Sequence, residues 1–161
     1  MKVMGIDPGL KATGYGVVVL VKNERPVVIE AGVITPDSRV PLQEKLLKIH
    51  QHLTDIVDRQ KPDVVVLEKI YSHTAHPMTA AVMGHARGVI CLVCAQKGVV
   101  LKEESPKRVR KAVVGNGNAS KEQTRRVVAG FLNIDPQKLT LDTSDALALA
   151  LGYTGMIRFM R

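Results

Sequence analysis

Asp7 stands in Gly5-Ile6-Asp7-Pro8-Gly9, and three further carboxylates, Glu68, Asp142 and Asp145, fall where strand ends and one helix face would bring them to a common spot. Four like charges gathered together are strongly unfavourable unless cations sit among them. Ligation by carboxylate oxygen alone selects hard ions such as Mg2+ or Mn2+ and argues against zinc, which prefers nitrogen and sulfur. The chain carries a formal net charge of +8, so acids collected in an otherwise basic protein suggest a divalent-cation site facing a polyanion. Phosphodiester cleavage is the chemistry that fits. Two ions about 3.5–4 Å apart would serve the attacking and the leaving oxygen of such a reaction, with the acids holding metal rather than moving protons.

Each acid also has an ordinary reading. Asp7-Pro8-Gly9 suits a turn, through the fixed φ of proline and the permissive glycine, and Glu68 could be a solvated strand-end glutamate. Asp142 and Asp145 are spaced i, i+3, which sets both on one helix face near an N-terminus, where Thr140, Asp142 or Thr143 could cap. Asp145 resists the ordinary reading. Ala146, Leu147, Ala148, Leu149, Ala150 and Leu151 follow it in a helix that reads as buried nearly all round, and a buried acid needs a partner. His73 and His76 read as surface histidines. Cys91 and Cys94 form a lone C-x-x-C inside an apolar helical pattern, with no second pair for zinc, and read as two buried thiols.

The elements that must position these acids follow from the hydrophobic pattern. Val-rich runs over 2–7, 14–22 and 27–35, broken by Pro8-Gly9 and by Lys22-Asn23-Glu24-Arg25-Pro26, predict an antiparallel meander. Leu42, Leu46, Ile49, Leu53 and Ile56 recur at helical spacing over 42–56. Val64-Val65-Val66-Leu67 reads as a strand buried on both faces that delivers Glu68 at its carboxyl end. A mostly apolar helix over 78–97, a short strand over 99–102 and helices over 106–114, 121–132 and 142–158 complete the chain. Ser120 with Gln123 makes a capping box for the second of these last three helices. The order predicts a single α/β domain over 1–161 with five strands.

Composition bounds the rest. The chain of 161 residues, 45% of them hydrophobic, fits one domain with one substantial core. The start lacks a leader pattern and no apolar run nears the roughly 20 residues of a membrane span, so a cytoplasmic protein with no membrane partner is expected. Positive charge is clustered at Lys107, Arg108, Arg110 and Lys111, and again at Lys121, Arg125 and Arg126, which favours a nucleic-acid partner.

Together these motifs closely resemble the RuvC family of Holliday-junction resolvases, within the ribonuclease-H-like superfamily. The resemblance rests on Gly5-Ile6-Asp7-Pro8-Gly9 with Thr13-Gly14-Tyr15-Gly16-Val17, on Pro62-Asp63 through Glu68, on Ala86-Arg87-Gly88, on Val113-Val114-Gly115-Asn116-Gly117, and on Asp142-Thr143-Ser144-Asp145-Ala146-Leu147-Ala148. It implies a mixed five-stranded sheet, its first three strands antiparallel, with helices on both faces. It implies that Asp7, Glu68, Asp142 and Asp145 are the catalytic, metal-binding acids, and that two Mg2+ ions per subunit, replaceable by Mn2+, are the cofactor. Tyr71 falls where the family usually has an aromatic that stacks on bases at the opened junction, an interaction worth about 1–3 kcal/mol per base. Arg110, where the family often has lysine, and Lys121 are implied to contact DNA, whereas Lys107, Arg108 and Lys111 read equally as a solvated helix face.

The same resemblance implies a homodimer built on the helix that starts near Met78, four-way junction DNA as substrate, paired symmetric nicks in recombination and repair, and RuvA and RuvB as branch-migration partners. His85 stands where many relatives have glutamine and gains no role from it. Three rivals stand beside this expectation. They are a YqgF-like nuclease acting in RNA processing, a sugar-kinase or actin-like ATPase, and a non-catalytic junction-binding protein whose acids are structural.

Overall fold

Two turns rich in proline and polar residues divide the first third of the chain into β1 (Lys2–Asp7), β2 (Thr13–Val19) and β3 (Val27–Ile34). In the computed structural model, which describes residues 1–22, 24–69 and 77–159, these three strands pair antiparallel. The helix α1 (Leu42–Gln60) then crosses over to β4 (Val64–Glu68), and α2 (Pro77–Lys97) crosses to β5 (Val100–Glu104). Both crossovers produce parallel pairs, β1 with β4 and β4 with β5, so the sheet runs β3-β2-β1-β4-β5. Helices α3 (Pro106–Val114), α4 (Lys121–Leu132) and α5 (Leu141–Phe159) follow, with a 3-10 turn at Pro136–Lys138. This is the mixed five-stranded α/β sheet that the sequence predicts.

Strand periodicity assigns the two faces. Met4, Ile6, Val65 and Leu67 point to one side and pack with Ile49, Leu53, Ile56 and Val57 of α1 and Ala86, Ile90, Val93 and Cys94 of α2. Val3, Val64 and Val66 point to the other and meet Val109 of α3, Val128 and Ala129 of α4, and Leu147 through Leu151 of α5. Covering both faces explains why β4 is an unbroken apolar run rather than an alternating one.

Some boundaries move. α1 runs four residues beyond the predicted Ile56, because Val57 continues the buried face, while Leu42 at its start is exposed. Of the two thiols read as buried, Cys94 is buried but Cys91 is only half so; burial pushes the Cys94 thiol up to about 11, which leaves it inert. The capping box forms as expected: the Ser120 hydroxyl accepts from Gln123 N, and Gln123 accepts from Ser120 N.

Candidate active site

Glycines on β1 and β2 decide where α5 lies. A Cβ on Gly5 would sit 2.0 Å from the Ala146 carbonyl oxygen, one on Gly14 would sit 2.1 Å from the Asp142 carbonyl oxygen, and one on Gly16 would meet the Leu147 side chain at 2.5 Å. Gly5 and Gly16 are paired across the two strands, and Gly14 is paired with Asp7. Three missing side chains thus form a trough into which the helix backbone presses. Because Gly14 supports Asp142 and is also the partner of Asp7, the trough sets the start of α5 beside the end of β1. Thr140 is the residue that caps the helix, its hydroxyl accepting from Thr143 N at 3.2 Å. Asp142 is therefore released from capping, and Asp145 follows one turn later ahead of Ala146–Leu151, which are buried throughout.

Glu68 reaches the same region from β4, which lies alongside β1 in the sheet. The electrostatics record the convergence. Burial and then the charge of Asp145 push the Asp7 carboxyl up from 3.8 to about 7; the opposing pull of Lys121 ranks next, and Glu68 and Asp142 add lesser pushes. Glu68 is also held above the usual carboxylate range, by burial and by Asp145, with Lys121, Arg110 and Arg87 drawing it back. The sequence-predicted acids therefore lie within one another's fields.

An ammonium reaches into the cluster. Lys121, the first residue of α4, donates from Nζ to Asp145 Oδ2 at 2.5 Å. Burial works against its charge, but the Asp145 hydrogen bond and the charges of Asp145, Asp7 and Glu68 outweigh this and raise its pKa. Among the described residues no three Asp, Glu, His or Cys groups close on a point as metal ligands would; Lys121 supplies the positive charge that the cluster requires. The donor set fits a hard divalent cation, since it is carboxylate oxygen throughout, half-buried, and carries more negative charge than one ammonium offsets. An open cleft of about 720 Å3 leads to it, lined by Asp7, Asp142, Lys121, Lys11 and, from α2, Val82 and Met83.

The other predicted residues divide. Arg110 faces the site closely enough to draw down the Glu68 pKa. Lys107 and Lys111 are exposed on α3, and Arg108 is exposed but pairs with Glu104 at 3.2 Å. Tyr71, His73 and His76 lie outside the described residues, and His85 is exposed on α2. Two residues at the site were given no role by the sequence reading. Lys11 is one, brought to the cleft by the tight Pro8–Ala12 loop, which Thr13 closes by donating to the Gly9 carbonyl at 2.7 Å. Arg87 is the other: its Nη1 donates to the Glu68 carbonyl at 2.7 Å and its Nη2 pairs with Glu103. A lone arginine in an apolar helical stretch was the available signal.

The model of the family described as crossover junction endodeoxyribonuclease RuvC matches residues 3–153. The chain belongs to the RuvC family. That span takes in β1, β4 and the first turns of α5, and so every acid of the cluster. A RuvC of Rhodopirellula baltica is 41% identical over 149 residues, which are 92% of this chain and 83% of that protein. The structure titled Thermus thermophilus RuvC in complex with Holliday junction substrate superposes with a TM-score of 0.90 at 28% identity, over 99% of this chain and 96% of that one. The yeast mitochondrial resolvase Ydc2 shares the fold at 14% identity, with a TM-score of 0.67 over 98% of this chain and 78% of that one. The RuvC match spans nearly the whole chain, as the sequence motifs imply. Among the described residues no helix is long and apolar enough to cross a membrane.

Proposed function

We propose that the protein resolves four-way DNA junctions by hydrolysing one phosphodiester in each of two opposed strands, using Asp7, Glu68, Asp142 and Asp145 to hold Mg2+. The observation that carries this reading is that these four acids, drawn from β1, β4 and α5, share one electrostatic cluster in a chain that matches the RuvC family over residues 3–153. The Thermus thermophilus relative bound to a Holliday junction supports the substrate. Two ions per subunit, with Mn2+ able to replace Mg2+, would supply Lewis-acid charge for the attacking water and the leaving 3′ oxygen.

The chain's own groups do the rest. Asp7, which shares its electrostatic field with Glu68, Asp142 and Asp145, would hold the cations together with them. Lys121 is poised to exchange Asp145 for a substrate phosphate once cations neutralise the acids. Arg110 would contact phosphate near Glu68, and Lys107, Arg108 and Lys111 would hold the flanking backbone, giving affinity without sequence information. Tyr71 would stack on a base at the junction opening. α2 exposes Val82 and Leu92 beside Gly84 and Gly88, at which an added Cβ would meet open space. A two-fold contact there would make a homodimer whose paired sites suit a two-fold substrate. RuvA and RuvB are the proposed branch-migration partners, and the cytoplasm the compartment.

The test is to incubate purified protein with labelled four-way junctions, linear duplex and RNA–DNA hybrid, in Mg2+ or EDTA, mapping nicks on every strand. Paired symmetric nicks confined to the junction and dependent on Mg2+ are expected. Cutting of the hybrid instead would move the activity to RNA, and tight junction binding with no nick in any metal would make the acids structural.

A further inference from the structure

The end of β4 is where Glu68 must be held, and Arg87 of α2 reaches it. Arg87 is largely buried, with 12% of its side chain exposed, and flanks Ala86, whose burial against the sheet fixes this turn of α2. One arm of the guanidinium donates to the Glu68 carbonyl at 2.7 Å and the other pairs with Glu103 of β5. Leu67 and Glu68 are in register with Glu103 and Glu104, so the fork ties the last residues of two adjacent strands to one helix. Lys69 N, donating to the Glu104 carbonyl at 2.8 Å, continues the strand pairing past Glu68.

We propose that Arg87 is a positioning residue, which sets the backbone of Glu68 so that its carboxylate meets the metal held by Asp7 and the α5 acids. This rests on the reading of Glu68 as a metal ligand. A rigid fork with two hydrogen-bonded arms fixes orientation as well as distance, which a lysine ammonium at the same place does only in part. Groups that orient a ligand from behind typically change metal affinity by about 10–100-fold when removed.

The experiment compares the full-length protein with Arg87→Ala, Arg87→Lys, Glu103→Gln and Glu68→Gln. Three quantities are read: junction nicking against Mg2+ concentration, the rise in melting temperature on adding Mg2+ without DNA, and junction binding in EDTA. Arg87→Ala is expected to raise the Mg2+ concentration for half-maximal nicking about 10–100-fold, to shrink the Mg2+-induced melting shift, and to bind junctions as before. Arg87→Lys and Glu103→Gln are expected to fall between it and the unmodified protein. An unchanged Mg2+ dependence in Arg87→Ala overturns the proposal. If Arg87→Ala does not fold, the other two variants decide, and a normal metal dependence in both overturns it equally. Normal nicking and a normal melting shift in Glu68→Gln would instead sink the assignment of Glu68 itself.

Discussion

A carboxyl group with a pKa of about 7 is half protonated at neutral pH, and Asp7 keeps that proton because burial and the neighbouring acids disfavour its charge. The folded protein holds the proton up to about 7, while the unfolded chain releases it near 3.8. Folding is therefore favoured by this group below pH 4 and loses that support as pH rises through 7, by on the order of a few kcal/mol at 1.36 kcal/mol per unit. Lys121 does not compensate in this window, because its raised pKa adds stability that fades only in the alkaline range. In EDTA the melting temperature should fall by several degrees between pH 5 and pH 8, and Mg2+ should restore more at pH 8 than at pH 5, since ligand bound only by the folded state stabilises it. Asp7→Asn should flatten that pH slope, raise the melting temperature in EDTA at pH 8, abolish nicking and spare junction binding. A melting curve indifferent to pH in both proteins would show that the acids do not share a buried field, and full turnover by Asp7→Asn would remove its metal role.

At the scale of elements, the site exists because α5 can press into the β1–β2 trough. Gly5→Ala places a methyl carbon 2.0 Å from the Ala146 carbonyl and Gly14→Ala one 2.1 Å from the Asp142 carbonyl, both against backbone that cannot rotate aside. Overpacking of this kind costs about 1–3 kcal/mol and displaces the helix that carries Asp142 and Asp145. Both variants should melt lower and lose far more nicking than junction binding. Gly130→Ala is the counter-case, in α4 with open space around the new methyl, and should stabilise by up to about 1 kcal/mol. If Gly14→Ala nicked normally, the acids would not depend on the trough. The strands and helices themselves were legible, because Val-rich runs, helical spacing and the Ser120 capping box are local signals. The trough was not: Gly5, Gly14 and Gly16 read as strand residues and parts of family motifs, and their purpose appears only when a helix more than a hundred residues later lies across them. The four acids were legible for the opposite reason, since Asp7 and Glu68 end strands and Asp142 and Asp145 lie one turn apart near the start of a helix. The engagement of Lys121 with Asp145 and the reach of Arg87 to Glu68 depend on elements distant in sequence, so a local pattern can single out the cation but not its partner.

For the whole molecule, a formal net charge of +8 sets the terms of any encounter with DNA, while placement decides which cations contribute. Lys107 and Lys111 are exposed on α3 with no acid within ion-pair distance among the described residues, whereas Arg108 is paired with Glu104 and Arg110 faces Glu68. These differences predict separable effects. Replacing Lys107 and Lys111 together by alanine should weaken binding to junction and linear duplex alike. It should also lower the slope of log affinity against log salt by about 2, at about 0.9 for each phosphate no longer neutralised. Arg110→Ala should change that slope by no more than about 1, yet slow nicking of bound junction, because its charge acts beside Glu68. Fluorescence anisotropy across a salt series, paired with single-turnover nicking, separates the two. A double variant with an unaltered salt slope would take α3 off the DNA path, and an Arg110→Ala protein that nicks at the normal rate once saturated would reduce Arg110 to a distant phosphate-binding cation like its neighbours on α3.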